Sequence, residues 1–337
     1  MATPIERIQS GSELVQNADG SPINITLGSA VTIANSIVMY TMRTADEAFR
    51  ANKHTFTVEL TTTTNLQLTR ATTASTKDTY VEWQVIEFTS AAVDLIQSGE
   101  TARDAAQDDI TITAVDLADA FAYSILSTND TTIADNEVHT ASLSSTTNLR
   151  LESNGSPNSD GESTASWFVV VLEPGIIDVQ SGLMTITGSG AVTNTAALSP
   201  SVDHTKSFLV HSGVDTTLTS NTYMRAIVGV DYNSSSEIGG RFETSGGSGT
   251  NIVSWHSVEL EGAGQAVEAF TVTVTDTNNT PTQPSWTALS TTNSHIVSGL
   301  GSQINGYSTY TDLGSEFADS WFAVSLDALA DGATIER

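Results

Sequence analysis

A tryptophan set in an apolar run recurs four times in this chain. It is found in Glu82-Trp83-Gln84-Val85-Ile86-Glu87, Ser166-Trp167-Phe168-Val169-Val170-Val171-Leu172-Glu173, Ser254-Trp255-His256-Ser257-Val258-Glu259 and Ser320-Trp321-Phe322-Ala323-Val324-Ser325-Leu326-Asp327. The four tryptophans stand 84, 88 and 66 residues apart. Self-similarity at a period of this size is the mark of a row of similar folded units. Rows of this kind span, cover or display, which argues against one large core built around one catalytic site.

Two further landmarks keep step with the tryptophans. An opening Ile/Val-Gln-Ser-Gly appears as Ile8-Gln9-Ser10-Gly11, Ile96-Gln97-Ser98-Gly99 and Val179-Gln180-Ser181-Gly182, and its remnant in the fourth unit reads as Gly262-Ala263-Gly264-Gln265. An apolar residue six positions before a further strand pairs Val31 with Ile37, Val115 with Phe121, Val202 with Phe208 and Leu289 with His295. From this second landmark to the Trp the distances are 52, 52, 53 and 32 residues. The fourth unit is therefore the short one, as terminal repeats often are. Thr64-Asn65-Leu66-Gln67-Leu68 is echoed by Thr147-Asn148-Leu149-Arg150-Leu151, and the third unit is read as carrying Thr222-Tyr223-Met224-Arg225-Ala226-Ile227-Val228 in that place.

The local signal within each unit is strand. Phe56, Val58 and Leu60 alternate with Thr55, Thr57 and Glu59, and Phe270, Val272 and Val274 alternate with threonines. Period-2 alternation with β-branched partners predicts half-buried antiparallel strands. Turn clusters such as Asn154-Gly155-Ser156-Pro157 and Ser245-Gly246-Gly247-Ser248-Gly249 separate them. Ala45–Phe49 and Thr101–Ala106 are the two places where a turn or two of helix is expected, both in loops. The predicted fold is all-β, four tandem β-sandwich repeats of Ig-like kind over 1–88, 89–173, 174–261 and a divergent, shorter 262–337. Trp83, Trp167, Trp255 and Trp321 are the expected core anchors, filling the gap between two sheets. The joins hold no Gly/Ser-rich or Pro-rich linker, so a stiff row is expected.

Composition narrows the functions. Three lysines (Lys53, Lys77, Lys206) and nine arginines face 39 acids, for a net charge of −27. Such a surface repels nucleic acid and anionic membranes. Cysteine is absent, which removes disulfides, thiolate nucleophiles and Cys-ligated metals. The start, Met1-Ala2-Thr3-Pro4-Ile5-Glu6, has neither the basic nor the apolar region of a secretory signal, and no apolar run is long enough to span a bilayer.

Chemistry-bearing patterns are sparse. The six histidines (His54, His139, His204, His211, His256, His295) lack zinc-type spacing, the closest pair being seven apart. Hydrolase-elbow and nucleotide-loop motifs are missing. Asp108-Asp109, or Asp160 with Glu162, offer paired carboxylates, but 39 acids make such pairs by composition alone. No catalytic residue and no cofactor is expected. Calcium is the one ion the loops suggest, through Asn129, Asp130 and Asp135 or through Asn17 and Asp19, although none follows the twelve-residue calcium-loop pattern. Trp286, after two prolines in Pro281-Thr282-Gln283-Pro284-Ser285-Trp286, breaks the core-anchor rule and is the candidate exposed aromatic contact.

The opening Ile/Val-Gln-Ser-Gly, the Thr-rich strand, Val202-Asp203-His204-Thr205-Lys206-Ser207-Phe208 and the Val81-to-Phe88 Trp strand together resemble tandem β-domain structural proteins of tailed-bacteriophage virions. The resemblance covers the first three units and implies a non-enzymatic head-decoration, neck or tail-fibre component. Such a protein is assembled in the host cytoplasm, displayed on the particle exterior, and held by self-association and by capsid or tail subunits. Two other readings stay open: a receptor- or carbohydrate-binding module that meets host surface glycan through Trp286, and a cell-surface layer or filament subunit.

Overall fold

The computed structural model describes residues 4–16, 19–44, 55–71, 78–129, 138–153, 163–189, 192–215, 229–242, 248–261, 266–274, 294–298 and 317–325. They form twenty-one strands and, among the described residues, one helical segment, the 3-10 turn Ile33–Asn35. The strands assemble into seven three-stranded antiparallel sheets.

Six of the sheets come in pairs with one recurring strand order. In the first pair β1 (Ile5–Val15), β6 (Thr79–Phe88) and β3 (Ser36–Thr44) lie in that order, over β2 (Ile23–Thr26), β5 (Asn65–Thr69) and β4 (Thr57–Thr62). The second pair sets β7 (Val93–Arg103), β12 (Ser163–Leu172) and β9 (Ala120–Thr128) against β8 (Gln107–Thr111), β11 (Asn148–Glu152) and β10 (Thr140–Ser145). The third sets β13 (Ile177–Ser189), β18 (Ser248–Leu260) and β15 (Ser207–Asp215) against β14 (Val192–Ala197), β17 (Glu237–Phe242) and β16 (Gly229–Ser234). A seventh sheet orders β19 (Ala266–Val274), β21 (Phe317–Ser325) and β20 (Ser294–Ser298). The all-β, sandwich-like expectation holds. The Trp run is the central strand of its sheet every time.

Alternation explains the interiors. Leu66 and Leu68 on β5, and Leu149 and Leu151 on β11, are fully buried, while the residues between them are half-buried. These leucines share a buried core with Val81 and Val85 in the first pair and with Ala165, Val169 and Val171 in the second. A two-residue turn joins β4 to β5, β10 to β11 and β16 to β17, with a register shift at the same place before each turn. The second landmark is tied to those turns. The amides of Val31, Val115 and Val202 donate to Thr63, Thr146 and Ser235 carbonyls at 2.7, 2.9 and 2.7 Å. Ile37, Phe121, Phe208 and His295 each pair with the residue three beyond their Trp.

The structure corrects two local readings and fixes two registers. The counterpart of the Thr-Asn-Leu-x-Leu strand in the third pair is β17, with Ile238 and Gly240 in the leucine positions, and residues 222–228 lie outside the described residues. Its leucine pattern is lost because Met184 and Ile186 reach across to fill the space beside Gly240. In the seventh sheet Val267–Phe270 take the register of Ile8-to-Gly11, and residues 262–265 lie outside the described residues. Thr101–Arg103 finish β7 as strand, because pairing with Ser163–Ala165 outweighs their helical propensity. Glu87 and Glu259 share a register, four beyond their Trp, but Val171 holds that place on β12, and Glu173 lies past the strand. Ala45–Phe49 lie outside the described residues.

Candidate functional site

The opening motif and the Trp strand form one seam. Gly11, Gly99 and Gly182 pair directly with Trp83, Trp167 and Trp255. A Cβ on these glycines would fall 2.6, 2.7 and 2.8 Å from the indole Cζ2. Only a residue without a side chain lets the ring lie flat on the neighbouring strand. Two positions earlier the motif glutamine grips the loop that crosses the sandwich. Gln9 accepts from the Ser29 amide and donates to the Ser29 carbonyl, both at 2.9 Å. Gln97 does the same with Thr113 at 2.6 and 3.1 Å, and Gln180 with the Ser199 amide and Pro200 carbonyl at 2.7 and 2.8 Å. The motif is therefore a structural clamp. In the seventh sheet Phe270 stands opposite Trp321, where the other sheets place glycine.

Trp83 and Trp255 are buried and Trp167 is half-buried. Trp167 donates from Nε1 to Thr101 Oγ1 at 3.1 Å. Met184 stands at the register of Thr101 in the third pair, and Trp255 Nε1 is buried without a hydrogen-bond partner. The indoles of Trp83 and Trp255 serve packing and leave little face for a ligand. Trp286 lies outside the described residues, and of Trp321 only the backbone is described.

The other recurring arrangement is the joint between pairs. The β3/β4 edge of the first pair docks on the outer face of β12 and β9, the face opposite Trp167. Ser166 Oγ accepts from the Val58 amide at 2.9 Å, and Tyr123 donates its hydroxyl to the Val38 carbonyl at 2.7 Å. Thr55 accepts from the Thr128 amide at 3.1 Å. The β10 edge of the second pair docks on the third in the same way. Its Ala141 amide donates to Ser212 Oγ at 2.7 Å, and Ser254 Oγ donates back to the Ala141 carbonyl at 2.8 Å. Val58 and Ala141 hold the same strand position, and Ser166 and Ser254 each precede their Trp. Phe121 and Phe208, also equivalent, meet edge to face at 6.3 Å. Strand β16 packs in turn on β21. On the first pair the serine position is Glu82, exposed and accepting from Ser12 Oγ at 2.8 Å.

Charged groups near the joints act structurally. Asp119 is raised above the usual carboxylate range by burial and by Asp116, Asp178, Glu261 and Asp94, acids drawn from both sides of the second joint. Arg103 is buried and ion-paired with Asp108 at 2.6 Å. It closes the β7–β8 turn by donating to the Ala105 carbonyl and Ser153 Oγ. In the first pair Arg70, from the strand position of Ser153, closes the corresponding turn through the Gln16 and Asp19 carbonyls. Asp109 is lowered by hydrogen bonds from Arg150, Asn148 and Gln107. The Asp108-Asp109 pair is thus spent on two arginines. A cavity of about 150 Å³ opens at the first joint between Val58, Leu60, Ser98 and Phe168, with Glu59 and Glu100 at its rim.

Among the described residues no group of three or more His, Asp or Glu could hold a metal ion. Of the calcium-loop residues, Asp19 and Asn129 are described, whereas Asn17, Asp130 and Asp135 are not. Asp19 accepts from the Gln16 amide at 2.6 Å, which makes it a turn residue. No described helix is long and apolar enough to cross a membrane. Sequence reasoning found the Trp and Gly positions but missed the joint serines, whose only signal was their place just before the Trp. No family model, curated protein or solved structure matches this chain.

Proposed function

We propose that this chain is a non-enzymatic structural protein displayed on the exterior of a tailed-phage virion, as capsid decoration or as a neck or tail-fibre part. It is built as four tandem Ig-like sandwich units, the last one shortened, over 1–88, 89–173, 174–261 and 262–337. It acts through self-association and contacts with capsid or tail subunits. The observation that supports this reading is the repeated joint. The edge of one sheet pair seats on the face of the next through equivalent backbone-to-serine hydrogen bonds at Val58 and Ala141. Such a joint transmits position along a row and leaves no moving cleft for chemistry. The recurring motifs are consumed by packing, and the acidic exterior keeps displayed copies from collapsing onto nucleic acid or one another.

Electron microscopy of purified particles carrying a label after Arg337 tests this. Labels arrayed over a capsid, neck or tail support the role and give its location. Chain that is absent from particles and instead coats host cells overturns it.

A further inference from the structure

One buried titratable group lies on a joint without a partner. His256 follows Trp255 on β18 and points to the outer face, the face that receives the second sheet pair. It is 2 % exposed, and neither ring nitrogen has a hydrogen-bond partner. Its surroundings on that face belong to the joint. Ser254, two residues before it, bonds the Ala141 carbonyl, and Ser212 on β15 accepts from the Ala141 amide. Phe208, two residues from His256's cross-strand partner Val210, meets Phe121 of the second pair. At the first joint the same register holds Phe168, stacked on Tyr123 at 4.9 Å. On the first pair, whose serine position is the exposed Glu82, it holds Gln84. The chain therefore places an ionisable ring where its other joint places a phenyl.

We propose that the joint between the second and third sheet pairs is acid-sensitive, and that protonation of His256 drives the β9–β10 edge of the second pair off the outer face of the third.

Among the described residues, no charge is placed to receive the proton's charge. Among the described residues, the strands that pack most against β18 are β13, β15, β9 and β10. On β13 the one charged residue, Asp178, pairs with Glu259, and so lies with it on the Trp255 register rather than that of His256. On β15, His211 and Asp215 pair with Trp255 and Asn251, again the opposite register. On β9 the one titratable group is Tyr123, whose hydroxyl is engaged with the Val38 carbonyl. Strand β10 has none, and His139 just before it lies 3.0 Å from Ser124 Oγ. Directly across from His256 stand Ser181 and Val210. An imidazolium here loses its hydration and gains no carboxylate from the described residues.

Burial accordingly lowers the His256 pKa from 6.5 to about 4. The opened joint, where the ring meets water, takes up its proton first. Joint stability is therefore whole above about pH 6.5, falls as the pH drops, and has lost the full His256 contribution near pH 4. That interval weakens the closed state by about 300-fold, at tenfold per pKa unit. The Asp119 cluster at this joint works in the opposite sense, because protonating a crowded carboxylate relieves repulsion. The loss belongs to the histidine.

The chain has no cysteine, so two labels can be placed cleanly in the whole protein. Thr146→Cys on the exposed β10–β11 turn and Leu183→Cys, 59 % exposed on β13, report the distance across the joint by energy transfer. Between pH 7 and pH 4 the transfer efficiency should change reversibly, and His256→Phe should hold the high-pH value to at least one pH unit lower. His256→Gln, the residue type of Gln84, is the second neutral variant should the phenyl not fit. A distance that stays constant to pH 4, or neutral variants that open at the same pH as the parent, overturns the proposal. Neither result bears on where the chain is displayed.

Discussion

Gly99 lies directly across β7 and β12 from Trp167, close enough that a single added carbon would sit 2.7 Å from the indole. The same relationship joins Gly11 to Trp83 and Gly182 to Trp255. The glycine is needed for the approach and not for its backbone, since no positive φ is found at any of the three.

Alanine at these glycines must push a large ring within a packed sandwich. Gly11→Ala, the tightest case at 2.6 Å, should cost about 1–3 kcal/mol, the range for overpacking. Urea titration followed by tryptophan fluorescence measures it. An unchanged midpoint would mean that the ring has free room to move.

The glutamine clamp predicts a local effect. Gln97→Ala removes both bonds to Thr113, and each is worth about 0.5–1.5 kcal/mol. Amide exchange at Thr113 should rise well before that of the central strand β12. Gln97→Glu keeps the acceptor and loses the donor, so it should fall between parent and alanine.

The joint serines predict an asymmetric loss. Ser166→Ala leaves the buried Val58 amide without its acceptor, at a cost of about 1–3 kcal/mol. Exchange at the Val58 amide should accelerate while Leu66 and Leu68 stay protected. Loss of protection throughout the first pair would show that the joint, rather than the sandwich interior, holds that pair folded.

Met184 and Gly240 should be energetically coupled. Met184 takes the register of Thr101, and Gly240 that of Leu151, so the third pair has exchanged large for small across its two sheets. Met184→Thr opens a void and Gly240→Leu overfills the same space, so each alone should destabilise by about 1–3 kcal/mol. The double variant should recover more than about 1 kcal/mol of the sum, because contacting sites are not additive. Thermal unfolding of all four proteins closes the cycle, and strict additivity would refute the exchange.

Much of the architecture is legible in one dimension. The alternation of Leu66 and Leu68, the Trp runs, and the nearly constant distance from Val31, Val115 and Val202 to their tryptophans place strands and repeat length. Side-chain period is a local property of a pleated backbone. The fourth opening shows where that locality ends. The motif's Gln and Gly were sought by identity, whereas the register at Val267–Phe270 follows from pairing with a distant strand.

What the sequence by itself determined is therefore the element type, the spacing and the identity of the Gly and Trp that recur. Only the tertiary structure decided that each Gly faces its Trp, that Gln97 holds a loop, that Ser166 and Ser254 receive the preceding edge, and that His256 is sealed without a partner. These are contacts between residues tens of positions apart. They depend on which face of a strand is covered and by what, and two sequences with the same alternation differ in this only once the sheets have packed.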